Sequence, residues 1–390
     1  MTDVFLCASR RTPIGRYGGA LAKVRPDDMA ALVIDGLLDL CPDLRVDEVI
    51  LGCANQAGED NRNVARMAVL LSRLGEEVPA FTVNRLCASG LDAVILGARA
   101  IRDGADVIIA GGVESMTRAP FVLPKSETAF GRSPEVYDTT IGWRFVNDRI
   151  ARAYGTESMG ETAENVARDH QIPRADQDAY ALRSQTRYDA DWHGADILPV
   201  TFPGKAGGVV EIDEHPRATS LEKLTNLRPA FREGGTVTAG NAAGVNDGAA
   251  ALLLASAEGV RRNNLTPFAR IGRSAAGAVA PSHMGVGPVA AVERLTARGC
   301  RHPRDCAVVE INEAFAAQVL ACLRAWGIPD DDPRVNARGG GIALGHPLGM
   351  SGARIAAAAA RRLAEEGGDV ALATLCVGVG QGVALEILPA

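Results

Sequence analysis

Asn84-Arg85-Leu86-Cys87-Ala88-Ser89-Gly90-Leu91-Asp92-Ala93-Val94 is the stretch from which the rest of the chain can be read. A short β-prone run, Phe81-Thr82-Val83, precedes it, and a helical pattern runs from Ser89 to about Arg102. A strand passing directly into a helix is the mark of an α/β unit. It also sets the Cys87 thiol at a helix N-terminus. There, unpaired N–H groups and the positive end of the macrodipole favour a thiolate. A cysteine in an apolar chain is otherwise a small buried hydrophobe, so a functional reading of Cys87 needs partners from elsewhere in the sequence.

The same alternation continues on both sides. Val4–Ala8, Glu48–Cys53 and Asp106–Ala110 read as strands, and residues 26–40 and 64–74 as helices. From Ser115 to about residue 240 the texture changes to Arg, Asp, Thr, Tyr and Pro, with helices expected near 161–170 and 174–191. This is an inserted excursion rather than a second core. The α/β texture then returns: strand or small-residue segments at 248–255 and 269–275, helices at 288–298, 314–326 and 351–366, and strands at 307–311, 369–375 and 382–388. The expected fold class is α/β, with a largely parallel sheet covered by helices.

A weak internal repeat organises this pattern. Asp47-Glu48-Val49-Ile50-Leu51 resembles Asp305-Cys306-Ala307-Val308-Val309, Ser89-Gly90 matches Ser351-Gly352, and Gly104-Ala105-Asp106-Val107 matches Gly367-Gly368-Asp369-Val370. The offsets of 258, 262 and 263 are nearly equal. They imply two copies of one unit at about 1–115 and 265–390, the first half running to 260 with the insertion at about 116–240. Cys87 and His346 precede equivalent helices. If the copies pack about a pseudo-twofold axis, both helix starts point at one place.

Composition excludes several alternatives. The 390 residues are 47% apolar and carry a net charge of −6, so a nucleic-acid backbone is not the expected partner. No apolar run reaches the ~20 residues that cross a bilayer, and the opening residues, with Asp3, do not read as a signal peptide. Eight cysteines contain no C-x-x-C pair, which fits free thiols in a reducing cytoplasm. Cys300, His302 and Cys306 lack a second pair of ligands, so no metal site is expected.

Three further stretches carry chemistry. They are Asn312-Glu313-Ala314-Phe315-Ala316 at a strand end, the Gly-rich run Gly339 to Gly349 containing His346, and the turn Cys376-Val377-Gly378-Val379-Gly380-Gln381-Gly382. Singly, each is a cap or a tight turn. With Cys87 they supply two thiols, an imidazole and an amide at element ends, a nucleophile with acid/base partners.

These stretches resemble the thiolase family over essentially the whole chain, from Arg11-Thr12-Pro13-Ile14-Gly15 to the last strand. The resemblance implies a layered αβαβα fold of two similar halves with an inserted loop domain. It implies an acyltransferase acting on 3-oxoacyl-CoA with coenzyme A as co-substrate, no other cofactor, and a homodimer or homotetramer. Cys87 would carry the acyl group, His346 would act as its base, and Cys376 would exchange a proton with the acetyl-CoA enolate. Oxyanion sites would use His346 with a water held by Asn312, and the N–H groups of Cys87 and Gly378. Met159, Phe231, Ala242, Ala243, Ala314 and Phe315 would line the pantetheine channel. Ala243 and Val379 depart from the serine and glycine common in the family.

The inserted segment, with Asp138-Thr139-Thr140-Ile141-Gly142-Trp143-Arg144-Phe145-Val146-Asn147, is similar to that of family members that split 3-oxoadipyl-CoA into succinyl-CoA and acetyl-CoA. That substrate ends in a carboxylate, which an arginine can pair bidentately; Arg118, Arg132, Arg144 and Arg149 are the candidates. A broad 3-ketoacyl-CoA or acetoacetyl-CoA thiolase is the alternative, and a non-catalytic acyl-CoA-binding protein is the alternative of another class.

Overall fold

The computed structural model describes residues 2–132, 134–202 and 208–390. Its long strands are β1 (Phe5–Arg11), β2 (Glu48–Gly52), β3 (Ala80–Val83), β4 (Val107–Ser115), β5 (Asn246–Ala255), β6 (Ala269–Ala278), β7 (Val308–Ile311), β8 (Ala371–Val377) and β9 (Gln381–Pro389). Its principal helices are α1 (Pro26–Leu38), α2 (Val64–Leu71), α3 (Ser89–Arg102), α4 (Met159–Asp169), α5 (Arg174–Arg187), α6 (Gly287–Thr296), α7 (Ala316–Trp326) and α8 (Leu348–Glu366). The segments at 248–255 and 269–275 are both strands. The helix expected at 174–191 ends at Arg187, and a separate turn, Ala190–Gly194, follows.

One ten-stranded sheet follows the path β7-β8-β9-β6-β1-β5-β4-β2-β3, with the short strand Gly15–Arg16 attached to β5. Read outward from its centre, the path is the same in both directions. β1·β5 and β6·β9 are antiparallel, β5·β4 and β9·β8 are antiparallel, and β4·β2 and β8·β7 are parallel. The two halves meet where β1 pairs β6, Phe5 opposite Arg270 and Leu6 opposite Ala269. The sequence repeat is therefore a topological one, with β3 added to the first half alone.

Alternation along the strands sorts side chains into three apolar layers. Ile108, Ala110, Leu252 and Leu254 face inward, as do Ala373, Leu375 and Leu385, and they enclose α3 and α8. Val107, Ile109, Ala251 and Leu253 face outward against Met29, Val33 and Leu37 of α1. In the second half Leu372 and Ala384 meet Val319, Leu320 and Leu323 of α7. Strands buried on both faces read as unbroken apolar runs, which is how β4 and β8 look. The result is an αβαβα sandwich.

The middle layer is the tightest. A Cβ added at Gly90 would strike the carbonyl oxygen of Gly349 and the backbone of Ala353, and one at Gly352 would strike the backbone of Leu91. The starts of α3 and α8 therefore touch through backbone, and this contact joins the two halves. Gly352→Ala should lower the urea stability of the protein by roughly 1–3 kcal/mol or more. The control is Gly194→Ala, where an added methyl meets open space; it should stay within about 0.5 kcal/mol of the parent protein.

Candidate active site

Cys87 sits in a single 3-10 turn, Leu86–Ala88, between β3 and α3. The turn is strained: Leu86 has φ +46°. Its neighbours over-determine it. Asn84 Oδ1 accepts from Leu86 N–H at 2.8 Å, and Asn84 Nδ2 donates to Ala54 O at 3.0 Å. Ser89 Oγ accepts from Arg85 N–H at 2.9 Å and donates to Leu86 O at 2.7 Å. Arg85 pairs with Asp92 and donates to Gln381 Oε1 at 3.0 Å, which ties the turn to the second half.

The expectation of a resting thiolate is corrected here. Burial pushes the Cys87 thiol up to about 11, although the N–H groups of Gly378 and of Cys87 itself pull the other way. Desolvation of an anion exceeds the help of two partial charges at a helix end. Those two N–H groups still converge on the sulfur, so they also face any oxyanion formed beside it.

His346 follows Gly345, whose φ is +100°. Its N–H donates to Asn246 Oδ1 at 2.9 Å. Ser351 Oγ donates to Pro347 O at 2.9 Å and lies 2.6 Å from His346 Nδ1. With its own proton committed, Ser351 accepts from Nδ1–H, which leaves a lone pair on Nε2. Asn312 Nδ2 is 3.4 Å from that Nε2, and Asn312 Oδ1 has no protein partner among the described residues. Burial, reinforced by Arg354, holds His346 down at about 4. The imidazole is neutral at pH 7 and free to accept a proton.

Cys376, in β8 next to the turn, is buried, and desolvation raises its pKa well above the ordinary range; the next cause is the charge of Cys87, its neighbour. The turn Gly378-Val379-Gly380 is also strained, with Val379 at φ +62°. Thus the two non-glycine residues at positive φ that flank the thiols, Leu86 and Val379, both line the same cavity.

That cavity is about 320 Å³. Its wall carries Cys87, Gly378, Val379, Leu348, Met159, Glu114, Asn55 and the segment Thr139–Arg144. The remaining channel residues lie alongside. Ala242, Ala314 and Phe315 pack with Cys376 and Met159 in one cluster. Ala243 N–H donates to Ala314 O at 2.9 Å, and Phe231 meets Phe315 edge-on at 6.2 Å. Of the expected channel residues only Met159 is on the Cys87 cavity wall; Phe231, Ala242, Ala243, Ala314 and Phe315 are not. Of the candidate arginines, Arg144 is on the wall. Arg118 is bound to Glu59, with its Nη2 donating at 2.6 Å, and Arg132 and Arg149 are exposed away from the cavity.

Reading the sequence did not single out Glu114, a buried carboxyl in β4. Its oxygens accept from Ala54 N–H (2.9 Å), Asn55 N–H (2.9 Å) and Gly349 N–H (2.8 Å). It clamps the loop after β2 to the start of α8, and burial raises it to about 7. The signal was present: a lone carboxylate inside the apolar run Val107–Ser115. Glu313 does a parallel job on the glycine-rich run, accepting from Tyr180 Oη (2.9 Å), Asn336 Nδ2 (2.8 Å) and Ile342 N–H (3.0 Å). Among the described residues no group of three His, Cys, Asp or Glu side chains is placed to hold a metal ion, and no helix is long and apolar enough to cross a membrane.

Comparison with known proteins agrees with this architecture. Residues 4–258 match the family model for the thiolase N-terminal domain, and residues 265–388 that for the thiolase C-terminal domain. The chain belongs to the thiolase family, whose members are acyltransferases. It is 56% identical over 397 residues to a beta-ketoadipyl-CoA thiolase of Pseudomonas putida, covering 99% of each chain. It is 55% identical over 396 residues to the 3-oxoadipyl-CoA/3-oxo-5,6-dehydrosuberyl-CoA thiolase of Escherichia coli (strain K12), again covering 99% of each. The crystal structure of human mitochondrial 3-ketoacyl-CoA thiolase in complex with CoA superposes with a TM-score of 0.91 at 36% identity, covering 100% of this chain and 98% of that one.

Two outcomes follow from this geometry. Glu114→Gln turns an amide N–H toward backbone donors, so it should cost about 1–3 kcal/mol in urea unfolding and depress activity with it. The pH dependence of stability is set by His346, His193 and His215, held down at about 4, 3 and 4 by burial. Each is neutral when folded and takes up a proton near pH 6.5 when unfolded. Their contribution is full above about pH 6.5 and is lost as pH falls toward 4; Glu114, raised to about 7, works in the opposite sense. The melting temperature should therefore fall between pH 6.5 and 4, and His193→Gln should flatten that fall in a thermal scan.

Proposed function

We propose that this protein cleaves 3-oxoadipyl-CoA with coenzyme A, giving succinyl-CoA and acetyl-CoA through an acyl-cysteine on Cys87. The reading rests on the names of relatives matched over the whole chain. It rests above all on one observation: Cys87 lies under the Gly378 N–H, beside Cys376, on the wall of a cavity large enough for an acyl chain.

The steps follow from the resting protonation states. His346 Nε2 takes the Cys87 proton as sulfur attacks C3, the ketone carbon, of the 3-oxo thioester. The oxygen that becomes negative at C3 faces preorganised donors, which act strongly in a dry site. The C2–C3 bond then breaks, and the enolate of acetyl-CoA, its thioester oxygen held near His346 and an Asn312-bound water, takes a proton from Cys376. A buried Cys376 thiolate is a strong base, so it recovers a proton from the incoming CoA thiol. The CoA sulfur attacks the succinyl thioester, and Cys87 leaves and takes back the proton stored on His346. Pantetheine would lie between Met159 and Phe315, with Phe231 closing the side and Ala242, Ala243 and Ala314 as its floor. A second copy would continue the sheet at the exposed edge of β3, where Phe81 is exposed, in keeping with the homo-oligomer expected of the chain.

Incubation with 3-oxoadipyl-CoA in the absence of CoA should leave a succinyl adduct on the Cys87 peptide in mass spectrometry. His346→Ala should slow adduct formation by about 10²–10⁴-fold. Cys376→Ala should stop thiolysis while the fold, read by circular dichroism, is kept. No adduct on Cys87, or an equal adduct yield from Cys87→Ala, would defeat the enzyme reading. A higher kcat/KM for acetoacetyl-CoA than for 3-oxoadipyl-CoA would favour the broad thiolase instead.

A further inference from the structure

The structure assigns Arg144 as the residue that selects acyl chains ending in a carboxylate; this deepens the proposed reaction and rests on it. Four observations carry the assignment. First, Arg144 and Cys87 are on the wall of the same 320 Å³ cavity. Second, Arg144 is the one cationic residue of that wall, and its guanidinium makes no hydrogen bond or ion pair among the described residues. An arginine on a cavity wall without a partner retains its full capacity to pair an anion.

Third, two neighbouring arginines are committed, and Arg354, whose Nε and Nη1 lack partners among the described residues, is buried in α8 and is not on this wall. Arg118 is held by Glu59 and by Ala22 O, and Arg85 by Asp92 and Gln381. Fourth, the segment presenting Arg144 is anchored rather than loose. Thr139 Oγ1 donates to Pro120 O at 2.6 Å and accepts from Asn55 Nδ2 at 3.0 Å, Thr140 N–H donates to Asp138 Oδ1 at 2.8 Å, and the Tyr137 and Phe145 rings meet at 4.9 Å. Gly142, at φ +90°, makes the turn that returns the chain to the cavity. The wall's one carboxyl, Glu114, is lodged under three backbone N–H groups, so it does not compete for Arg144.

In 3-oxoadipyl-CoA the carbon attacked by Cys87 is three bonds from the terminal carboxylate. A planar guanidinium can hold both carboxylate oxygens while C3 stays at the sulfur. A neutral chain of equal length would leave Arg144 desolvated and unpaired, so the same residue attracts one class and disfavours the other.

The test uses steady-state thiolysis by the full-length protein with three substrates: 3-oxoadipyl-CoA, 3-oxohexanoyl-CoA (six carbons, a methyl in place of the carboxylate) and acetoacetyl-CoA. Arg144→Gln should lower kcat/KM for 3-oxoadipyl-CoA by about 10–150-fold, mainly through KM. It should leave acetoacetyl-CoA, whose chain is too short to reach it, within about threefold, which also reports on folding, and should raise kcat/KM for 3-oxohexanoyl-CoA. Arg144→Lys should recover part of the loss, because it restores the charge without the fork. Equal losses on all three substrates would place Arg144 in the fold or on the CoA phosphates and overturn the assignment. If the parent protein shows no preference for 3-oxoadipyl-CoA over 3-oxohexanoyl-CoA, both the substrate reading and the role of Arg144 fail. If the parent has that preference and Arg144→Gln keeps it, only Arg144 is wrong.

Discussion

The structure depends on two helices that touch through their backbones. At Gly90, Gly349 and Gly352 there is no room for a Cβ, so α3 and α8 approach more closely than side chains would allow. They do so between the two halves of the sheet, where nothing can yield without opening the core. The loops entering them come from opposite ends of the chain, one carrying Cys87 and the other His346. A close contact made for packing thereby brings together the two loops whose Cys87 and His346 the proposed reaction uses. Glu114 completes it by holding the start of α8 to the loop after β2.

Burial then dictates the resting charge state. A thiol pushed up to about 11 and an imidazole pushed down to about 4 do not form a standing ion pair. Keeping two unpaired charges in such a place would cost several kcal/mol. In the proposed reaction charge appears only as a bond forms at sulfur, opposite N–H groups already in position, so little reorganisation is needed at that moment. The strained conformations of Leu86 and Val379 belong to the same economy. They aim the Cys87 and Gly378 amides at one point and are sustained by the hydrogen bonds around them.

How much of this was legible varies with the range of the interaction. Helix and strand order could be read because periodicity is local: β4, β5, β8 and the core helices lie where alternation and spacing put them. The contact of α3 with α8 was legible only because the chain repeats itself. Arg118 looked like an open cation because Glu59, which binds it, stands far from it in sequence. The Cys87 thiolate was expected from a correct local rule, the helix end, that was outweighed by burial, a property of the whole fold. Glu114 was passed over although its oddity, a carboxyl inside an apolar strand, was visible.

The sequence by itself determined the α/β class, the two-fold repeat, the insertion and the short list of reactive side chains, because each is written in spacing or in long motifs. Only the tertiary structure decided which of those side chains opens onto the cavity and in what protonation state they wait. It also decided which of the four candidate arginines stands on the wall of the Cys87 cavity. Those depend on desolvation and on pairings between residues distant in the chain, and neither has a local signature. For Cys87 the difference is concrete: the chain marks it as a thiol at a helix start, and the fold makes it a neutral thiol under two amides, next to the space an acyl group would fill.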